Sequence, residues 1–372
     1  MNSVRRLPFV TMVLALSLVL AACSSPQTTS SEAPEPGDSS APAASDGGAG
    51  GTPIEQAAAT AELEPELTSV RIGFAALEPA SLPVKVALDL GLFEKYGLDV
   101  ELVSFDGDSA ATQAMTSGAV EAISAGGAIA LASARNEEPN VLVALVLSNP
   151  TDMLVSRPDI ESPEDLIGQD IAVSQFGGDS HASVLLALQE FGIATDEVTI
   201  VQVGGQGDRI AAVAAGSVAA APVDETSEAA IRDEGMNVLV KLSETGLKTP
   251  RHGLIVPTAF ILENPNTVLA MTAAMFEAMQ AEFEQTEEAA AAYADWAQLE
   301  EADALAEVEL ILPLVEDQRC LTSEAEWWEQ LKTIAVVSDP DLEAVDPNDA
   351  WSNAFVDRLG ELGVVEESGA PC

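Results

Sequence analysis

From Ser69 to Leu242 short apolar runs alternate with stretches of helical period, and few architectures satisfy that pattern. Ser69–Phe74, Leu98–Phe105, Val120–Ala125 and Val141–Leu147 read as strands. The last is apolar throughout, as in a strand buried on both faces. Between them, Ser81 and Pro83 open a helix carrying Val84, Ala87, Leu88 and Leu92 on one face. Asp108 and Ser109 open a second helix, closed by Gly118, and Gly126-Gly127 leads into a third that ends near Arg135. A second series starts at Ser162-Pro163-Glu164-Asp165-Leu166, a capped helix start. Its strands are Ile171–Gln175, Val198–Val203, Val218–Ala221 and Val238–Leu242, separated by helices after Gly177, Gly207 and Glu225. The alternation predicts an α/β fold with two mainly parallel sheets flanked by helices. Beyond Pro257 the pattern turns helical, in a long region from Asn264 to about Leu299 and then a tail. Trp296, Trp327, Trp328 and Trp351 all fall here and read as packing anchors.

The first residues predict export. Arg5 and Arg6 precede an almost wholly apolar stretch from Leu7 to Ala22, short for a membrane span, with Leu20-Ala21-Ala22 directly before Cys23. Residues 1–22 read as a signal peptide. Leu20-Ala21-Ala22-Cys23 resembles a bacterial lipobox, which implies cleavage before Cys23 and lipidation of its thiol. Residues 23–67 are rich in Ser, Pro, Ala, Gly and Thr without an apolar period, and read as a flexible tether. In an oxidising compartment thiols pair. With Cys23 lipidated, Cys320 and Cys372 are left to form a disulfide across the helical tail; the alternative is two free thiols, since Cys372 is the last residue of the sequence.

Charge removes several functions. Sixty-one Asp and Glu face fifteen Lys and Arg, a net charge of −46. Nucleic-acid binding and polybasic attachment to a membrane both need the opposite sign. The only predicted membrane contact is the lipid on Cys23. Two His and three Cys offer little for a metal site, and no cofactor is expected. No nucleophile elbow, zinc-protease helix, phosphate loop or Cys-x-x-Cys occurs, so no enzyme is predicted. Glu284–Glu288 and Glu300-Glu301 read as solvated helix faces rather than paired catalytic acids.

Three segments carry a family resemblance: Gly91-Leu92-Phe93-Glu94-Lys95-Tyr96-Gly97-Leu98-Asp99-Val100-Glu101, Ser162–Val173, and Asn264-Pro265-Asn266-Thr267-Val268. From about Val70 to Phe283 the chain resembles an extracytoplasmic solute-binding protein of an ATP-driven importer, of the nitrate/sulfonate/taurine and thiamine-precursor branch. The resemblance implies a two-lobed periplasmic-binding-protein type 2 fold. Residues 68–157 and 254–372 would form lobe one and residues 158–253 lobe two. It also implies a monomer with a small-molecule ligand in the interlobe cleft, partnered by a membrane permease and its ATPase. A cysteine-rich iron motif, which some thiamine-pyrimidine-making relatives carry, is missing. The alternative function is a lipid-anchored sensor or adhesin that binds a protein with the same fold.

The ligand would sit where strand ends meet helix starts. That places Glu78, Ser124, Gly126, Gly127, Phe176, Gly177, Gly178, Asp179, Ser180, His181, Asp224 and Glu225 as candidates. The glycines let backbone amides approach a ligand, or simply make tight turns. Gly177–His181 combines a turn, a helix N-terminus and polar side chains, and the competing reading is plain helix capping by Asp179 or Ser180. Phe176 stacks on a planar ligand or packs; His181, as a lone histidine, serves the fold as readily as the ligand. Helix starts favour an anion, whereas Glu78, Asp224 and Glu225 favour an amine, amidine or aminopyrimidine. Neither Arg209, one turn inside its helix, nor Arg251, near the return crossover, lies in these loops. The balance leans to a neutral or cationic nitrogenous solute, with a sulfonate- or nitrate-type anion as the other class.

Overall fold

A computed structural model describes residues 51–74, 79–105 and 108–372. Cys23, the expected signal segment and Glu78 lie outside them. Ten strands form two five-stranded sheets. The first holds β1 (Ser69–Phe74), β2 (Asp99–Ser104), β3 (Ala122–Ala125), β4 (Asn140–Leu147) and β10 (His252–Pro257), in the order β2-β1-β3-β10-β4. The second holds β5 (Asp152–Ser156), β6 (Asp170–Val173), β7 (Thr199–Gln202), β8 (Ala220–Asp224) and β9 (Asn237–Lys241), in the order β7-β6-β8-β5-β9. Both orders place a strand from late in the segment between two earlier ones, the mark of a chain that crosses between lobes twice.

Each sheet is mixed. β1 pairs in parallel with β2 and β3, and β6 with β7 and β8, as βαβ units require. The strands that return from a crossover run the other way: β10 is antiparallel to β3 and β4, and β5 to β8 and β9. The expected lobe boundary after residue 157 therefore moves. β5 belongs to the second sheet, so the first crossover is residues 148–151, and β10 starts at His252, so the second ends at Arg251. A strand this short, set just behind Pro150, carries no periodic signal of its own; its partners define it. The two crossovers are joined: the Thr249 amide donates to the Ser148 carbonyl at 2.9 Å, and the Arg251 amide to the Leu147 carbonyl at 2.8 Å.

Part of the segment expected as a tether up to residue 67 is folded. Pro53–Thr60 is a helix with a Thr52/Glu55 capping box and proline in its first turn. Ala58 and Ala61 are fully buried, and Arg358 Nε donates to the Ala61 carbonyl at 3.0 Å. The small-residue composition that suggests a linker here lets the helix lie close against Ala354–Glu361.

One helix, Pro265–Glu284, supplies much of the first core: Met271, Met275, Phe276 and Met279 are all fully buried. Truncating Phe276 to alanine costs about 3–5 kcal/mol on the usual scale for a core aromatic. The helical region expected from Asn264 to about Leu299 consists of two helices, Pro265–Glu284 and Thr286–Ala297, divided at Gln285. Trp328 is fully buried and lies parallel to Trp351 at 6.5 Å, while Trp296 packs edge-on against Phe74 at 4.9 Å. Cys320 and Cys372 are joined by a disulfide, with Cα atoms 5.6 Å apart. Among the described residues no helix is long and apolar enough to cross a membrane.

Candidate interlobe binding site

A cleft of about 540 Å³ opens between the two sheets. Its walls are the strand ends and helix starts that the βαβ order brings there, with Arg251 from the second crossover at its base.

Lobe one supplies a polar floor. Ser124, the penultimate residue of β3, and His252, the first of β10, are 2% and 4% exposed. Ser124 Oγ lies 2.9 Å from His252 Nε2, and Ser81 Oγ lies 3.2 Å from the same nitrogen. One imidazole thus holds two hydroxyls in place. Tyr293 and Glu307 close this wall, the Tyr293 hydroxyl donating to Glu307 Oε2 at 2.7 Å.

Lobe two supplies two helix starts and a guanidinium. At the end of β6, the Ser174 amide donates to Ser180 Oγ at 2.8 Å, and the two hydroxyls lie 2.7 Å apart. This ties the strand end to the first turn of the helix Asp179–Phe191. Gln206 opens the helix Gln206–Ala214; its side chain accepts from the Asp224 amide at 2.9 Å and donates to Ser227 Oγ at 3.1 Å. The Asp224 carboxylate accepts from the amide and hydroxyl of Thr226, at 2.9 and 2.6 Å. Arg209, 6% exposed, reaches back along its helix: Nε donates to the Pro222 carbonyl at 3.1 Å and Nη1 to the Gly204 carbonyl at 2.9 Å. Burial lowers the pKa of this guanidinium, and the charge on Arg251 adds to the effect against the opposing pull of Asp152. It stays protonated. Among the described residues no carboxylate pairs with it directly.

The carboxylates of Asp108, Asp152, Asp179, Asp224 and Glu307 share the lining with these two cations. Arg251 is held by two of them: Nη1 pairs with Asp179, and Nη2 with Asp152 at 3.2 Å.

Of the residues singled out from sequence, Ser124, Gly126, Asp179, Ser180 and Asp224 line this cleft together. Others sit elsewhere. The Gly127 amide donates to the Pro250 carbonyl at 3.0 Å, and a Cβ there would lie 2.4 Å from that oxygen, so Gly127 serves close packing on the crossover. Gly177, at φ +77°, makes the turn into the helix, and with Gly178 it borders a separate groove beside the helix Asp108–Thr116. Phe176 is 58% exposed and meets His181 edge-on at 5.4 Å. His181 is buried; its Nδ1 accepts from the Gly177 amide at 2.9 Å, and burial lowers its pKa. Glu225 turns away to Ser243, whose hydroxyl donates to it at 2.8 Å, and burial raises its carboxyl above the usual range. Ser174, Gln206, Arg209, Arg251 and His252 also line the cleft, as do Asp108, Asp152, Tyr293 and Glu307, and none of these was among the sequence candidates. Arg209 and Arg251 are weighed there only to be set aside for lying outside the loops. A long side chain one turn into a helix spans the distance back to the helix start.

Comparison with known proteins gives the following. Residues 78–289 match the family model described as "NMT1/THI5 like". The taurine-binding periplasmic protein of Escherichia coli (strain K12) is 36% identical over 129 residues, which cover 34% of this chain. The match spans 40% of that relative's length. The crystal structure of the periplasmic aliphatic sulphonate binding protein SsuA from Escherichia coli superposes with a TM-score of 0.62 at 21% identity, over 78% of this chain and 99% of that one. The periplasmic nitrate-binding protein NrtA from Synechocystis PCC 6803 superposes with a TM-score of 0.63 at 13% identity, over 83% and 92% of the two chains.

Proposed function

The chain belongs to the NMT1/THI5-like family, and on that footing we propose that it captures a small organic solute outside the cytoplasm and delivers it to the permease of an ATP-driven importer. The cleft between the sheets is the binding site, and its floor, walls and base come from both lobes. Arg209 carries the ligand assignment. Among the described residues this buried guanidinium donates to carbonyls and has no direct carboxylate partner, Asp152 acting on it only through space, so its charge at the cleft suits an anion. The helix starts at Asp179 and Gln206 add amide dipoles of the same sign. Asp108, Asp224 and Glu307 in the same lining suit an amine on the same molecule. An amino-sulfonate combines both groups. This modifies the expectation of a neutral or cationic solute: the nitrogen remains, and an anionic head is added. The taurine-binding relative supports the same class.

Delivery from a fixed position at the membrane fits a lipid on Cys23, with the residues before Pro53 as the lead to the folded body. The site has a Ser124–His252 contact of the kind that could activate a nucleophile, but the same nitrogen also meets Ser81, which suits a fixed hydrogen-bonding floor better.

A thermal-shift screen over taurine, alkanesulfonates, nitrate, small carboxylates and aminopyrimidines tests the reading. A ligand at one hundred times its Kd stabilises the fold by about 2.7 kcal/mol. A sulfonate or amino-sulfonate hit supports it. A response confined to aminopyrimidines overturns the anion assignment and leaves solute capture standing. A shift with a protein partner and with no small molecule replaces import by the sensor or adhesin role.

A further inference from the structure

We infer that Asp179 and Arg251 form a latch that holds lobe two against lobe one, and that Gly126 is the lobe-one surface kept free of a side chain so that the latch can seat. Arg251 ends the second crossover, and its amide is bonded to Leu147 of β4, so its backbone moves with lobe one. Its guanidinium reaches two lobe-two carboxylates. Asp152 starts β5 directly behind the first crossover, and Ser183 donates to it. That contact sits at the pivot, where a change in lobe angle moves atoms least. Asp179 begins the helix Asp179–Phe191 and stands on the cleft wall, against Gly126 of lobe one. Opening the lobes separates Asp179 from Arg251 and leaves Arg251 on Asp152.

The cap residue of this helix is Gly178, and Asp179 follows it as the first helical residue. Against it lies the backbone of Gly126, where a Cβ would come within 2.6 and 2.7 Å of the two Asp179 oxygens. Gly126 has φ −70° and ψ 142°, a conformation open to any residue. Backbone strain therefore does not explain the glycine at this position, whereas room for the Asp179 carboxylate does. Two other contacts join the lobes: Ser109 Oγ donates to Gln175 Oε1 at 3.4 Å, and the helix Ala325–Ser338 packs on the helix Asp179–Phe191 with Ile334 in the second core.

The test is an interlobe distance measured by spin-label pairs on the full chain in a Cys23→Ser background. Labels go at Thr116→Cys on lobe one and Gln189→Cys on lobe two, both exposed, with Cys320 and Cys372 already paired. Asp179→Asn keeps the side-chain size and removes the ion pair. Gly126→Ala keeps the ion pair's residues and removes the space. Each variant should lower the short-distance population several-fold. If both retain the parent's distance distribution, the latch is refuted. The combined variant Asp179→Ala/Gly126→Ala separates collision from any other effect of the methyl group. With the carboxylate gone, the alanine at 126 should open the lobes no further than Asp179→Ala alone; further opening refutes the role given to Gly126. If Asp179→Asn fails to fold by circular dichroism, Asp179 is a folding residue and the latch is likewise refuted.

Discussion

The carboxylate of Glu66 accepts the amide of Thr267 at 2.7 Å and its hydroxyl at 2.9 Å, so a residue 201 positions earlier in the chain caps the helix Pro265–Glu284. Its other oxygen takes the Asn266 amide at 3.0 Å. The segment before β1 and the helix that fills the first core are thereby one unit.

Acid should loosen that unit. Burial by itself raises the Glu66 pKa, but the bonds from Asn266, from its own amide and from Thr267 together outweigh it and hold the carboxyl below its ordinary 4.5. A folded pKa below the unfolded one gives stability that is present above about pH 4.5 and is lost as pH falls through the folded value. Glu121, bonded by Arg71, works in the same direction: burial raises its pKa, and Arg71 more than reverses the shift. Glu66→Ala should cost about 1 kcal/mol at neutral pH, typical of a lost cap. The measurement is chemical denaturation at pH 7 and pH 3.5. The wild type should lose more between the two than the variant does, and equal losses would contradict the assignment.

Arg209→Gln should weaken binding of a sulfonate or amino-sulfonate by about 2–4 kcal/mol, some 30- to 1,000-fold, because the anion loses its charged partner. Asp224→Asn should weaken an amino-sulfonate while leaving a plain alkanesulfonate nearly unchanged. Titration calorimetry with taurine and with an alkanesulfonate of equal length distinguishes the two. Unchanged affinity in Arg209→Gln would remove Arg209 from the site.

The Cys320–Cys372 bond closes a separation of 52 residues, for which the chain-entropy relation gives about 4 kcal/mol. Thiol counting on the unfolded, unreduced protein should find neither of these two cysteines free. Reduction should lower the denaturation midpoint.

Cys23→Ser should release the protein from the membrane fraction into the soluble one. Equal partitioning of the variant and the wild type would rule out lipidation at this residue as the anchor.

What could be read from sequence follows from what makes each element. β1, β4 and β6 are recognisable because their residues are apolar on one or both faces, and burial demands it. β5 and β10 are just as buried, yet each starts directly behind a crossover, with no helix in front to frame it; pairing with distant strands makes them strands. In the cleft, Gly126, Asp179 and Ser180 are visible as turn and helix-start residues. Arg209 and His252 are not, because one acts a full turn from its position and the other points in from a strand with no motif around it. The helix at Pro53 illustrates the converse: the composition around it reads as a tether, and the Thr52/Glu55 capping box that starts it is recognised only in the structure.

The stitching of the two crossovers by the Thr249 and Arg251 amides has a consequence for the thermodynamics of capture. Two independent linkers would let the lobes bend, twist and slide, and a ligand would have to freeze all of these motions. A bonded pair of strands behaves as a single leaf that flexes about one axis, so most of the orientational entropy is surrendered when the protein folds rather than when the solute arrives. Affinity for a molecule of few atoms, with few contacts to offer, then depends on one soft coordinate instead of several.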